Sequence, residues 1–206
     1  MGQAVIYIAA EDESQLSMPV DFTELIQTLE DLEIVDPFKF EQTPRECTRR
    51  AGTQTLRLFN PDYGQGCRNT LREIAESWGQ AFDGINFFTL KAPVPIPVLT
   101  HDYPVFCPHC KKPVDSGFQD SLARYSMESF YEGVERTHAF TCEECQGKVT
   151  LGELLEQGEL LHRRYYLEID DACYVSKEVA ILSEQGRSLL EGVFQGPLAL
   201  RHGYLT

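Results

Sequence analysis

Ala4-Val5-Ile6-Tyr7-Ile8-Ala9 is an uninterrupted apolar run near the start of the chain. A run of this length without polar alternation reads as a central strand covered on at least one face. The segments after it decide how that strand is used. Asp21-Phe22-Thr23-Glu24 has the form of a helix N-cap with an acidic residue three positions on, and Phe22, Leu25, Ile26, Leu29 and Leu32 then recur at helical spacing. Residues 34–40 predict a second strand, which Pro37 confines to a sheet edge because proline cannot donate to a ladder. Residues 53–59 predict a third strand, closed by the turn-forming Asn60-Pro61-Asp62-Tyr63-Gly64. A second amphipathic helix places Leu71, Ile74, Ala75, Trp78 and Phe82 on one face, and residues 85–90 predict a fourth strand. The order βαββαβ predicts an α+β, ferredoxin-like domain over residues 1–91, with its first and third strands central.

Pro93, Pro95 and Pro97 alternate with Ala92, Val94, Ile96 and Val98, which predicts an extended connector over residues 92–98. Residues 99–206 then form the second region. Within it, Thr150 is suited to cap a short helix through Leu151, Leu154 and Leu155 that ends near Gly158. Residues 160–169 predict a strand and residues 176–193 a helix.

The composition narrows the function. The chain has 206 residues, 42% of them hydrophobic and 24% charged, as in a globular protein with a real core. Its 32 acidic and 18 basic side chains give a formal charge of −14, spread along the whole length. Nucleic-acid affinity rests on lysines and arginines that neutralise phosphates, so this balance argues against direct DNA or RNA binding and against an anionic membrane surface. Arg45, Arg49 and Arg50 form the one basic cluster and read as a solvated loop. Without a secretory signal or an apolar stretch long enough to span a bilayer, the expected location is the cytoplasm. An acidic surface steers and selects basic protein partners, so a basic protein is the expected partner.

Of seven cysteines, Cys47, Cys67 and Cys173 stand alone and read as small buried apolar residues. The other four form two C-x-x-C pairs, Phe106-Cys107-Pro108-His109-Cys110 and Phe140-Thr141-Cys142-Glu143-Glu144-Cys145, separated by 31 residues. A C-x-x-C turn lets two thiolates converge on one ion, and two such turns complete a tetrahedral shell. In a reducing compartment a metal site is the expected use of such pairs, not a disulfide framework. Neither pair lies between a predicted central strand and a helix start, which argues against a thioredoxin-like role. A shell closed by four cysteines also leaves no position for the water of a catalytic zinc.

Over roughly residues 104–150 the pattern resembles the zinc ribbon family, a rubredoxin-like double knuckle. The resemblance implies one structural Zn2+ on Cys107, Cys110, Cys142 and Cys145, with strands over residues 103–106 and 137–140 leading into the knuckles. Rubredoxins, which hold iron, usually carry glycine after the second cysteine of each knuckle. Lys111 and Gln146 stand there in this chain, which favours zinc. Residues 117–133 depart from a bare ribbon: Phe118, Leu122, Tyr125, Met127, Phe130 and Tyr131 predict a partly helical insertion packed near the metal or the first domain. His109 and His138 lie near the cysteines, where a histidine can replace a ligand or donate a hydrogen bond beside one; the favoured reading is that of surface or hydrogen-bonded side chains.

No catalytic residue is assigned. Asp170-Asp171 and Glu11-Asp12-Glu13 read as solvated turns, and Gly64-Gln65-Gly66 lacks the Lys-Ser or Lys-Thr of a phosphate loop. The expected function is that of a non-enzymatic, acidic zinc-binding protein acting through protein–protein interaction, with an immunity-type protein against a basic toxin as a narrower case. The alternative is an enzyme with an unrecognised site between the two regions, in which zinc serves as structural scaffold.

Overall fold

The computed structural model of the chain describes residues 3–40, 46–60, 82, 84–96, 105–114, 118, 121, 132–158, 160–170 and 181–205. The elements are β1 (Gln3–Ala10), α1 (Thr23–Asp31), β2 (Val35–Phe40), β3 (Glu46–Ala51), β4 (Gly84–Ile96), β5 (Ala139–Thr141), β6 (Lys148–Thr150), α2 (Leu151–Leu155), β7 (Leu161–Asp170), α3 (Glu184–Val193) and β8 (Leu198–Leu205). They form a mixed α/β fold dominated by a six-stranded sheet of order β2-β3-β4-β7-β1-β8, with β5 and β6 as a separate two-stranded sheet. Strand pairs β1–β7, β2–β3 and β3–β4 are antiparallel. Among the described residues, no helix is long and apolar enough to cross a membrane.

The chain divides into two compact units, one of residues 3–89 and 165–200, the other of residues 90–164 and 201–206. In the first unit β1 is an interior strand, and Val5 to Ala10 are all buried, so both of its faces are covered. This is why its sequence shows no alternation. Ile6 and Ile8 enter a core with Leu25 and Leu29 of α1 and with Leu190 and Phe194 at α3. Each such side chain contributes about 1.5–3 kcal/mol when fully buried. On the other face Tyr7 meets Tyr166, whose ring stacks on Phe88 at a centroid distance of 4.4 Å.

The sheet does not follow the ferredoxin-like order. β1 lies between β7 and β8, strands from the far end of the chain, instead of beside a strand of the first hundred residues. The third strand expected over residues 53–59 is a 3-10 turn at Thr55–Arg57, and the strand that pairs with β2 is β3, at Glu46–Ala51. Burial falls on Thr55, Leu58 and Phe59, the spacing of a helical turn and not of a strand. β2 is an edge strand, as Pro37 requires, and its pairing slips in register between Val35 and Lys39, around that proline. Arg49 does not lie in a solvated loop: it belongs to β3, is buried, and its Nε donates to Glu30 Oε1 at 2.6 Å. Asp21 does not cap α1 in the expected way. Its carboxylate accepts from the Thr23 amide and hydroxyl, and those two bonds hold it below the usual carboxylate range.

The helix expected over residues 71–82 lies outside the described residues except for Phe82, which packs edge-on against Phe59. α3 starts at Glu184, capped by Ser183, later than the expected start at 176. Before it, Leu182 makes an isolated bridge to Phe59. In the second unit, the run Pro93-Val94-Pro95 belongs to β4, and the Val134 amide donates to the Pro93 carbonyl at 3.0 Å. The strand expected over residues 160–169 is β7, and the Thr150-capped helix is α2.

Candidate metal centre

Two turns of the same construction build the site. In the first, the Cys107 amide donates to the Lys112 carbonyl at 2.8 Å and the Lys111 amide to the Cys107 carbonyl at 2.9 Å. In the second, the Cys142 amide donates to Gly147 at 2.9 Å and the Gln146 amide to Cys142 at 2.8 Å. Each turn is led in by paired backbone: Phe106 bridges Pro113, and Phe140 of β5 sits opposite Val149 of β6. Lys111 and Gln146 take φ of 60° and 57°, the left-handed region. A side chain there costs about 1–2 kcal/mol relative to the right-handed region. The turns therefore impose on Lys111 and Gln146 the conformation that glycine adopts freely, and the lack of glycine at these positions does not separate zinc from iron.

The turns converge. The sulfurs of Cys107, Cys110, Cys142 and Cys145 lie within 4.8 Å of one another, and no other cluster of three or more possible metal ligands occurs among the described residues. Across the two turns, Cys107 Sγ is 3.7 Å from Cys145 Sγ and Cys110 Sγ is 3.8 Å from Cys142 Sγ. These are far beyond the about 2.05 Å of a disulfide, and the four cysteines are free. Ligands at the corners of a tetrahedron with metal–sulfur bonds of about 2.3 Å are spaced by about 3.8 Å. The four residues thus fit a metal ion. Cys107 and Cys142 are buried, Cys110 is half-buried and Cys145 is exposed.

Charge within the cluster is unevenly shared. Burial opposes ionisation of Cys107, but the amides of Cys110 and His109 and the neighbouring thiols of Cys145 and Cys110 bring it down to about 6. For Cys145 the Gly147 amide favours the thiolate, yet desolvation and the three other sulfurs push it up to about 12. Cys110 is also raised: its bond from the Lys112 amide is outweighed by desolvation and by the sulfurs of Cys107 and Cys142. The first thiolate forms easily and the later ones crowd it. A divalent cation would supply the positive charge that lets all four ionise.

The surroundings brace the turns. α2 begins directly after β6 with a full capping box, in which Thr150 Oγ1 accepts from the Glu153 amide and the Glu153 carboxylate accepts from the Thr150 amide at 2.8 Å. The bonds that it accepts from the Thr150 amide and, at 2.8 Å, from the Thr150 hydroxyl lower the Glu153 carboxyl. Gln157, just past α2, uses its side-chain amide on both backbone groups of Phe106, accepting from the amide at 3.2 Å and donating to the carbonyl at 2.7 Å. Phe118 of the insertion packs on Phe140 with centroids 5.6 Å apart. Leu122, Tyr125, Met127, Phe130 and Tyr131 lie outside the described residues.

Neither histidine is within the sulfur cluster. His109 Nε2 donates to the Lys148 carbonyl at 3.0 Å, and His138 Nε2 lies 2.8 Å from the buried Ser121 hydroxyl. Burial lowers the His138 pKa. Of the expected acidic turns, Asp170 ends β7 and, with Glu168, accepts from the Asn86 side-chain amide at 2.8 and 3.0 Å. Asp12 caps a 3-10 turn at Glu13–Gln15. Asp171, Gly64-Gln65-Gly66, Cys67 and Cys173 lie outside the described residues, as does the Cys47 side chain. The Ser121–His138, Asn86–Glu168 and Arg49–Glu30 pairs join residues 17, 82 and 19 positions apart. No local pattern in the sequence marks them. No family model, curated protein or solved structure matches the chain, so the reading of the centre rests on its own residues.

Proposed function

We propose that Cys107, Cys110, Cys142 and Cys145 hold one Zn2+ as an architectural centre, and that the protein acts by binding a basic protein partner. The convergence of four cysteine sulfurs from two matching turns carries the first half of this reading. Residues 105–114 and 139–150 are then the two knuckles of a zinc ribbon, a reading supported by the Phe106–Pro113 bridge and the β5–β6 hairpin. Four thiolates close the coordination shell, so the ion contributes folding free energy and not a reactive water. The second half rests on the formal charge of −14, which favours fast, salt-sensitive encounter with a positively charged surface.

Elemental analysis beside thermal unfolding tests the metal. One equivalent of zinc in the wild type, lost together with stability in Cys142→Ser, supports a structural site; iron in its place corrects the metal, and no metal removes the reading. Affinity purification at low salt tests the partner, and recovery of no basic protein counts against it. Neutralisation of a basic toxin is the narrower form, tested by rescue of cells from a neighbouring toxin gene product.

The alternative, an enzyme with zinc as scaffold, has one observation in its favour. A neutral His138, its pKa lowered by burial, stands within hydrogen-bond reach of the Ser121 hydroxyl, as a base stands to a nucleophile. Labelling of Ser121 by a fluorophosphonate in the native protein, abolished in His138→Ala, supports it. No labelling leaves the pair as a hydrogen bond between a buried serine and a half-buried histidine.

A further inference from the structure

His109 reaches both halves of the metal centre. Its backbone amide bonds the sulfur of Cys107, a ligand in its own turn. Its ring crosses to the opposite turn, where Nε2 lies 3.0 Å from the Lys148 carbonyl, just after Gly147. A carbonyl only accepts, so Nε2 carries the proton and the tautomer is fixed. Room for the ring exists because position 147 has no side chain. A Cβ there would lie 3.0 Å from His109 Cδ2 and 3.2 Å from Cys145 Sγ. The Gly147 amide also bonds the Cys145 sulfur, and its carbonyl accepts from the Cys142 amide. The ring therefore rests on the residue that positions both cysteines of the second turn.

From this arrangement we infer that His109 is a positioning residue of the metal centre: it latches the first turn to the second and sets the spacing of the cysteine pairs without ligating the ion. The two turns lie 31 residues apart in sequence. Bringing their ends together has an entropic cost that a preformed link lowers for the incoming ion. The inference rests on the zinc reading above and adds a residue to it that the C-x-x-C pattern does not contain.

Competition of the full-length protein with a chromophoric chelator measures zinc affinity, and Co2+ substitution reports the ligand set by its absorption spectrum. His109→Ala is expected to retain the four-thiolate cobalt spectrum while zinc affinity falls about 10–100-fold, the usual effect of losing a group that orients ligands. His109→Gln, which keeps a side-chain N–H donor, is expected to recover part of the loss. Gly147→Ala, which crowds both the ring and Cys145 Sγ, is expected to weaken binding in the same direction and serves where His109→Ala does not fold. Wild-type affinity and release rate in folded His109→Ala, with only the unfolding temperature lowered, would reduce His109 to a general structural role and overturn the inference. A wild-type protein that takes up neither zinc nor cobalt overturns the zinc reading first, and is told apart by that result.

Discussion

Gly186 is where a single methyl group would be felt most directly. It sits in the first turn of α3 against the Leu58 backbone, and a Cβ there would overlap the Leu58 carbonyl oxygen. Backbone cannot step aside as a flexible side chain can, so Gly186→Ala is expected to destabilise the fold by about 1–3 kcal/mol, read as a lowered midpoint in urea unfolding. Helix propensity alone predicts the opposite sign, because alanine favours a helix over glycine by about 1 kcal/mol. The contrast shows which residues sequence can assign a role. The four cysteines announce themselves because metal chemistry demands their type and spacing. Gly186, Arg49 and Asn86 owe their roles to partners brought close by the fold, which no neighbouring residue in the chain announces.

α2 shows how much a short element depends on its ends. With five residues it is too short to persist alone, and its capping box satisfies amides that would otherwise lack partners. Thr150→Ala is expected to cost about 1 kcal/mol, seen as a lower thermal midpoint of the metal-loaded protein, while Thr150→Ser is expected to stay near wild type. This element was legible because the cap, the apolar positions and Gly158 all fall within a few residues of one another. β1 and β7 were legible for the same reason, each being a long apolar or alternating run. β3 and β8 were not: Glu46–Ala51 is mostly polar and Leu198–Leu205 carries Arg201 and His202, so their strand character comes from neighbours in the sheet. Residues 53–59 misled because Leu56, Leu58 and Phe59 make a short apolar run that a 3-10 turn buries as readily as a strand does.

For the molecule as a whole, protons and metal both set stability. Burial, the largest influence on His162, moves its pKa below the ordinary 6.5, against a bond to the Val134 carbonyl at 2.7 Å that favours the charged ring. The unfolded chain therefore binds this proton more readily than the folded one. The sign follows: stability is full above about pH 6.5 and falls as pH drops from there toward the folded pKa. The difference between wild type and His162→Gln, measured by unfolding from pH 7.5 to 5, should accordingly lose this slope in the variant; parallel curves would exclude His162 as its source. The order of the six strands was the least legible feature, since β1 finds its neighbours β7 and β8 only after more than half the chain has intervened. Gln157 has a consequence of another kind. By occupying both backbone groups of Phe106, it acts as a one-residue surrogate strand along a margin that carries the 41% exposed Phe106. Such margins recruit further chains. Gln157→Ala should unseal it, and light scattering of the variant at rising concentration would register the first step toward self-assembly as a growing mass, where the wild type keeps a constant one.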